Sequence, residues 1–156
     1  MDKDIFKPSL KEDGIRKTDT YDIRKLFYVA FFGGTIPITI LGVRNSRWLG
    51  VKKGFVTAFY LIGALILVSK IFVVALYMGD ALEISSRNIR LGVRVADVLL
   101  YAFMYMVMNP KYKMHLMTGG EEQPLFKNAL KWIIIGIVAE LALLSAGGFI
   151  GAGLLK

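Results

Sequence analysis

Four ionisable residues, Lys70, Arg94, Asp97 and Glu140, stand inside long apolar runs. A charge at the centre of a bilayer costs on the order of 2.5–3.5 kcal/mol on insertion scales, so each needs a partner or wet surroundings. Helical rise lets their depths be compared. Lys70 precedes Met78 by eight residues and Asp97 follows Leu91 by six. They therefore lie about 12 Å and about 9 Å from the face where the chain between them turns. A Lys70–Asp97 pair across that hairpin is expected. Arg94 is shallower, where its guanidinium reaches lipid headgroups or pairs with Asp97 at i,i+3. Glu140 approaches the midplane from the opposite face, with no partner evident at its depth. Two kinds of chemistry suit such a set. The charges staple helices together, or Glu140 and Lys70 centre a small ion- or proton-coupled transporter or channel-like protein.

Other chemistries lack their residues. With no cysteine there is no thiolate metal site, thiol nucleophile or disulfide. There is no phosphate loop and no Ser/His/Asp arrangement, so an enzyme, a cofactor and a bound metal are not expected. His115, the one histidine, has no ligand partner at suitable spacing and reads as a solvated loop residue. Tyr101, Met104, Tyr105 and Met108 recur at helical spacing and read as packing.

The elements that must position these charges are helices. Asp80 followed by Glu83 has the form of an N-cap with its reciprocal acceptor, and Pro110 is a helix stop, so a helix is predicted over Asp80–Asn109. Glu83, Arg87, Arg90, Arg94 and Asp97 fall on one face of it. Before it, Phe55–Met78 is long enough to span, and the short turn makes the two a central antiparallel hairpin. The first apolar block, Leu26–Val43, is short and interrupted by Gly33, Gly34 and Pro37. It is either a kinked span or a re-entrant hairpin returning to its own face. The last block, Trp132–Leu155, carries Gly147 and Gly151, with Gly148 and Ala152 one position on, a spacing that lets helices approach closely in lipid. The predicted class is an all-α membrane protein of four apolar segments. A polar tail, 1–25, precedes a single membrane domain, 26–156. Ile5, Phe6, Leu10 and Ile15 give the tail an irregular apolar content, read as a solvated arm or a docking arm.

Hydrophobic residues make up 55% of the 156 and cluster in these blocks, more than an ordinary soluble domain holds. The formal charge of +8 flanks the blocks, pointing to anionic headgroups and away from nucleic acid. Arg44, Arg47, Trp48, Lys52 and Lys53 in the first linker are the expected headgroup contacts. No small-x-small cleavage site marks a signal peptide. The small-residue face of the last helix suits a second copy or a larger membrane complex.

Phe31, Gly33, Gly34, Asn45, Arg47, Leu49 and Gly50 form an F-x-G-G…N-x-R-x-L-G run. It resembles an uncharacterised family of small bacterial multi-pass membrane proteins, with Thr35 standing where that pattern has proline. The resemblance implies a bacterial inner-membrane protein and no activity.

Charge asymmetry bears on topology. Four complete spans with the tail inside place ten Lys/Arg in the cytoplasm against eight outside, almost no bias. If the first block is re-entrant, the tail, the 44–54 linker and the 110–131 loop share a face, fifteen against three. The positive-inside rule favours the second arrangement with a cytoplasmic tail. The expected role is non-enzymatic, a structural, accessory or complex-subunit protein acting through helix packing and headgroup contact.

Overall fold

The computed structural model describes residues 19–79 and 85–154. They form five helices: α1 (Leu26–Gly33), α2 (Thr35–Trp48), α3 (Lys53–Met78), α4 (Ser86–Met117) and α5 (Leu125–Leu154). Of these, α3, α4 and α5 are long and apolar enough to cross a membrane. Three helices therefore have spanning length, where the sequence suggested four segments. The 26 residues of α3 extend about 39 Å. Its outward face is Leu61, Leu65, Val68 and Phe72, all largely exposed. Ile134, Val138 and Leu141 do the same for α5. Such an exterior is the pattern of an integral membrane protein.

The first apolar block is two helices hinged at one residue. Gly34 has φ +84° and ψ −163°, a backbone state open to glycine and costly for any side chain. Pro37 does not break the chain. It occupies the third position of α2, inside the first turn, where a missing N–H costs no helical hydrogen bond. The two helices fold back on each other: the Tyr21 ring, just before α1, lies 5.0 Å from that of Trp48 at the end of α2. One end of the bundle thus gathers the start of α1, the end of α2 and the 49–52 link. The 118–124 loop joins them there, since the Gln123 N–H donates to the Thr20 carbonyl at 2.7 Å. The turn after α3 lies at the other end, where Gly148 abuts Met78.

Two identical helix stops shape the first end. Gly50 (φ +64°) follows α2 and Gly119 (φ +73°) follows α4. In each, the N–H of the next residue reaches back into the last turn, Val51 to Ser46 O at 2.9 Å and Gly120 to His115 O at 3.0 Å. The Leu49-Gly50 pair of the sequence motif is therefore a helix terminator.

The helix predicted over Asp80–Asn109 differs from those bounds at both ends. Asp80 and Glu83 lie outside the described residues; α4 begins at Ser86, with the Ser85 hydroxyl accepting from the Arg87 N–H at 3.4 Å. Pro110 does not end it. Proline removes one backbone bond, but the turns beyond bury Tyr112 and His115, and the Tyr112 hydroxyl donates to the Glu122 carboxylate. Tertiary contacts outweigh the missing bond, and α4 continues to the glycine that can stop it. The predicted 110–131 loop shrinks accordingly, and α5 begins at Leu125, before Trp132.

Before α1, Thr20, Tyr21, Asp22 and Ile23 are buried, so this stretch packs on the helices and is not a solvated tail. Asn45 receives it: its side-chain oxygen accepts from the Tyr21 N–H at 2.7 Å and the Thr20 hydroxyl at 3.0 Å. Ile5, Phe6, Leu10 and Ile15 lie outside the described residues. The core surrounds the α1–α2 hairpin, with Leu26, Ile38, Leu41, Phe59, Leu100 and Met104 fully buried. Met104 packs against Gly42 of α2, and Met108 meets Asn45, which confirms these methionines as packing residues. Gly147 and Gly148 are buried against Ile71 and Met78 of α3. That part of the small-residue face is spent within the chain; the side-chain surroundings of Gly151 and Ala152 lie outside the described residues.

Candidate functional site: an ionic cluster at a broken helix

Three spanning helices each contribute one charge to a single buried point. Lys70 is seventeen residues into α3, Asp97 eleven into α4 and Glu140 fifteen into α5. Each is about 17–26 Å from its helix start, well inside the helix. The Lys70 ammonium lies 2.8 and 3.0 Å from the two Asp97 oxygens and 3.2 Å from Glu140 Oε2. Lys70 and Asp97 are almost wholly buried, at 4% and 2% exposure. The pair expected from helical depth is present, and Glu140, expected to be without a partner, shares the same lysine.

The hinge of the first block completes the cluster. The Thr35 hydroxyl donates to Asp97 Oδ1 at 2.5 Å, and the Ile36 N–H donates to Glu140 Oε1 at 3.0 Å. Both groups belong to the first turn of α2, whose N–H groups have no partner inside the helix and carry about half a positive charge. Because α1 stops at Gly34, that positive end is delivered deep between the spanning helices. Two carboxylates thus face one ammonium and one helix N-terminus. A Cβ on Gly34 would lie 2.7 Å from Glu140 Oε1, so residue 34 needs glycine for close approach as well as for φ. Gly33 and Gly136 let the hinge seat against α5, where Pro37 packs onto Gly136 and Ile133 onto Gly33.

The donors and acceptors of this cluster use one another up. The three N–H bonds of Lys70 match its three short contacts, and all four carboxylate oxygens accept at least one bond. One turn along α2, Thr39 Oγ1 is the buried side-chain polar atom without a hydrogen-bond partner among the described residues. A groove of about 550 Å³ between α3 and α4 reaches Lys70 from the side, past Ser69, Gly92 and Ala96.

Arg94 does not join Asp97. Its guanidinium lies 5.3 Å from the Phe31 ring at the hairpin tip, while Asp97 turns inward from the edge of the polar stripe. The linker cations lie at the surface of the bundle. Arg44 stacks 4.5 Å over Trp48, Arg47 lies 5.7 Å from the Tyr60 ring, and Lys52 and Lys53 are exposed. His115 is buried, with Nε2 3.3 Å from the Glu121 carbonyl, in contrast to the expected solvated loop residue. Among the described residues no cluster of His, Cys, Asp and Glu has the make-up of a metal site.

Thr35, the Ile36 N–H and Asn45 are the site and docking groups that residue types alone did not single out. Thr35 stands out only in hindsight of the hinge, as the hydroxyl directly after two glycines. No protein-family model, curated protein or solved structure matches the chain.

Proposed function

We propose that this chain is a non-enzymatic integral membrane protein with a structural, accessory or complex-subunit role. Its first block enters and leaves by one face as a re-entrant hairpin, locked by Lys70, Asp97 and Glu140. The observation that carries this is the saturation of the cluster: each charged group spends its hydrogen bonds on another part of the same fold. A transport site needs groups that a passing ion or proton can engage, and a polar path leading to them. Here the surrounding helix faces are apolar and the charges are paired. The basic end of the bundle, with Arg44, Arg47, Trp48, Lys52 and Lys53, faces the cytoplasm in this reading and holds anionic headgroups. The resemblance of the F-x-G-G…N-x-R-x-L-G run supports the bacterial inner membrane as its place.

One observation favours the alternative, a proton- or ion-coupled role centred on Glu140 and Lys70. Two carboxylates share one ammonium, and the groove between α3 and α4 leads to that ammonium. Liposomes containing the purified chain and a trapped pH dye separate the two readings. The structural reading expects wild type and Glu140→Gln to leak protons at the rate of empty vesicles. A flux present in wild type and lost in Glu140→Gln, under a pH or ion gradient, would establish the coupled role instead.

A further inference from the structure

The α1–α2 hairpin covers only part of α4. Beyond the tip of α1, near Phe31, the same side of α4 continues uncovered by the described residues toward the other end of the bundle. A groove of about 470 Å³ lies there, bounded by Phe31, Leu91, Val95 and Leu99 and by three arginines, Arg87, Arg90 and Arg94. The arginines follow one another at three and four residues, so they line one helix face over about 10 Å. Among the described residues none of the three makes an ion pair with a carboxylate. Arg90 is exposed and donates from its Nε to the Ser86 carbonyl at 3.3 Å. Arg94 is exposed and lies over the Phe31 ring at 5.3 Å, a contact that holds its guanidinium at the rim of the groove.

We propose that this groove binds one anionic phospholipid from the leaflet opposite the Arg44–Lys53 belt. The phosphate sits among Arg87, Arg90 and Arg94, and the upper acyl chain lies on Leu91, Val95 and Phe31. Charge and shape choose this occupant. Guanidinium forks match phosphate oxygens, and the apolar floor suits a lipid chain and gives a free anion nothing. A second copy of this face would bring three arginines against three. The site rests on the membrane placement proposed above and is separate from the cytoplasmic-side belt.

The test uses the full chain in neutral detergent, with lipid adducts counted by native mass spectrometry. Phosphatidylglycerol and phosphatidylcholine of matched chains serve as probes. Wild type is expected to retain phosphatidylglycerol at least about tenfold better. The Arg87→Gln/Arg90→Gln/Arg94→Gln variant is expected to lose most of that preference, with helical circular dichroism unchanged. The Arg44→Gln/Arg47→Gln variant is expected to retain at least half of it, because the belt lies at the other end. Equal retention of the two lipids by wild type overturns the site. So does a preference that survives the triple substitution, or one that inorganic phosphate abolishes at equal concentration. Alkaline extraction of vesicles is run in parallel. Release of the chain would overturn the membrane reading and this site with it, whereas a retained chain without headgroup preference would overturn the site alone.

Discussion

Glu140, on the fifth helix, accepts a hydrogen bond from the backbone N–H of Ile36, one residue inside the second helix, at 3.0 Å. A carboxylate and a helix N-terminus from elements 104 residues apart meet at mid-bundle. That meeting explains why the first apolar block stops at Gly34. A continuous helix would have its N-terminus at the surface and nothing to offer Glu140. With the hinge, the first turn of α2 supplies the cluster with donors and a positive dipole. The broken helix and the buried charges are one feature.

Removing two members of the cluster together should cost less than the sum of removing each alone. Lys70→Met leaves Asp97 and Glu140 facing each other with only a hydroxyl and one N–H between them. It should destabilise by about 3–5 kcal/mol. Asp97→Leu strands the Thr35 hydroxyl but leaves Lys70 with Glu140, so its cost should be smaller. The Lys70→Met/Asp97→Leu double variant should lose less than the two losses combined. Thermal melting in detergent of the four proteins measures this, and strictly additive losses would remove the coupling.

The hinge glycine can be separated from ordinary left-handed glycines. Gly34 and Gly50 both have positive φ, but a Cβ at 50 meets nothing within 4 Å, whereas at 34 it meets the Glu140 carboxylate. Gly50→Ala should cost only the backbone strain, about 1–2 kcal/mol. Gly34→Ala adds displacement of Glu140 and should cost clearly more. Equal melting losses for the two would mean that the hinge does not depend on close approach.

How much of this was legible in the sequence depends on which contacts simple counting reaches. Lys70–Asp97 was legible because both depths are measured from one short turn, and helical rise is linear. Glu140 was not, because its partner on α2 lies at a depth set by where α1 stops, and the role of Gly34 in that stop comes from its φ. Tyr21, Trp48 and Gln123 bring the residues just before α1, the linker and the loop to one end of the bundle through tertiary contacts that no local pattern encodes. His115 and the loop around it were misplaced by giving Pro110 its local meaning. Proline's cost is fixed, while the gain from burying Tyr112 beyond it depends on Asp22 and Glu122, which come from elsewhere in the chain. Asn45 belonged to a visible motif, yet its task of receiving the Tyr21 backbone is tertiary.

Asp22 gives the basic end a pH dependence. Burial alone would push its carboxyl up. The Arg24 side chain and N–H, each bonded to Oδ1, and the charges of Arg24 and Lys25 outweigh burial and hold it below the ordinary carboxylate range. A carboxyl whose folded pKa is depressed stabilises above its unfolded value and loses that contribution as pH falls through the folded value. Wild type should therefore be more stable than Asp22→Asn at neutral pH, and the difference should begin to shrink as the pH falls through about 4 and close only below the depressed folded value. Melting temperatures of both proteins across that window test it; a gap that persists at the acid end would assign the effect to packing.

Topology gives the sharpest test, because the chain has no cysteine of its own. Asp19, Lys52 and Lys113 are exposed at the end that holds the tail, linker and loop, and Asn88 is exposed near the start of α4. Ser46, within the linker region, is buried in the packed bundle and a cysteine there would label poorly. If α1 and α2 form a re-entrant hairpin, single cysteines at 19, 52 and 113 share one side and a cysteine at 88 lies on the other. In the proposed orientation that shared side is the cytoplasmic one. An impermeant maleimide on intact cells should then label only the cysteine at 88, and permeabilised cells should label all four. A first block that crosses the membrane separates 19 from 52, whichever way the chain is oriented. Labelling of one of these two sites without the other would therefore reject the re-entrant hairpin.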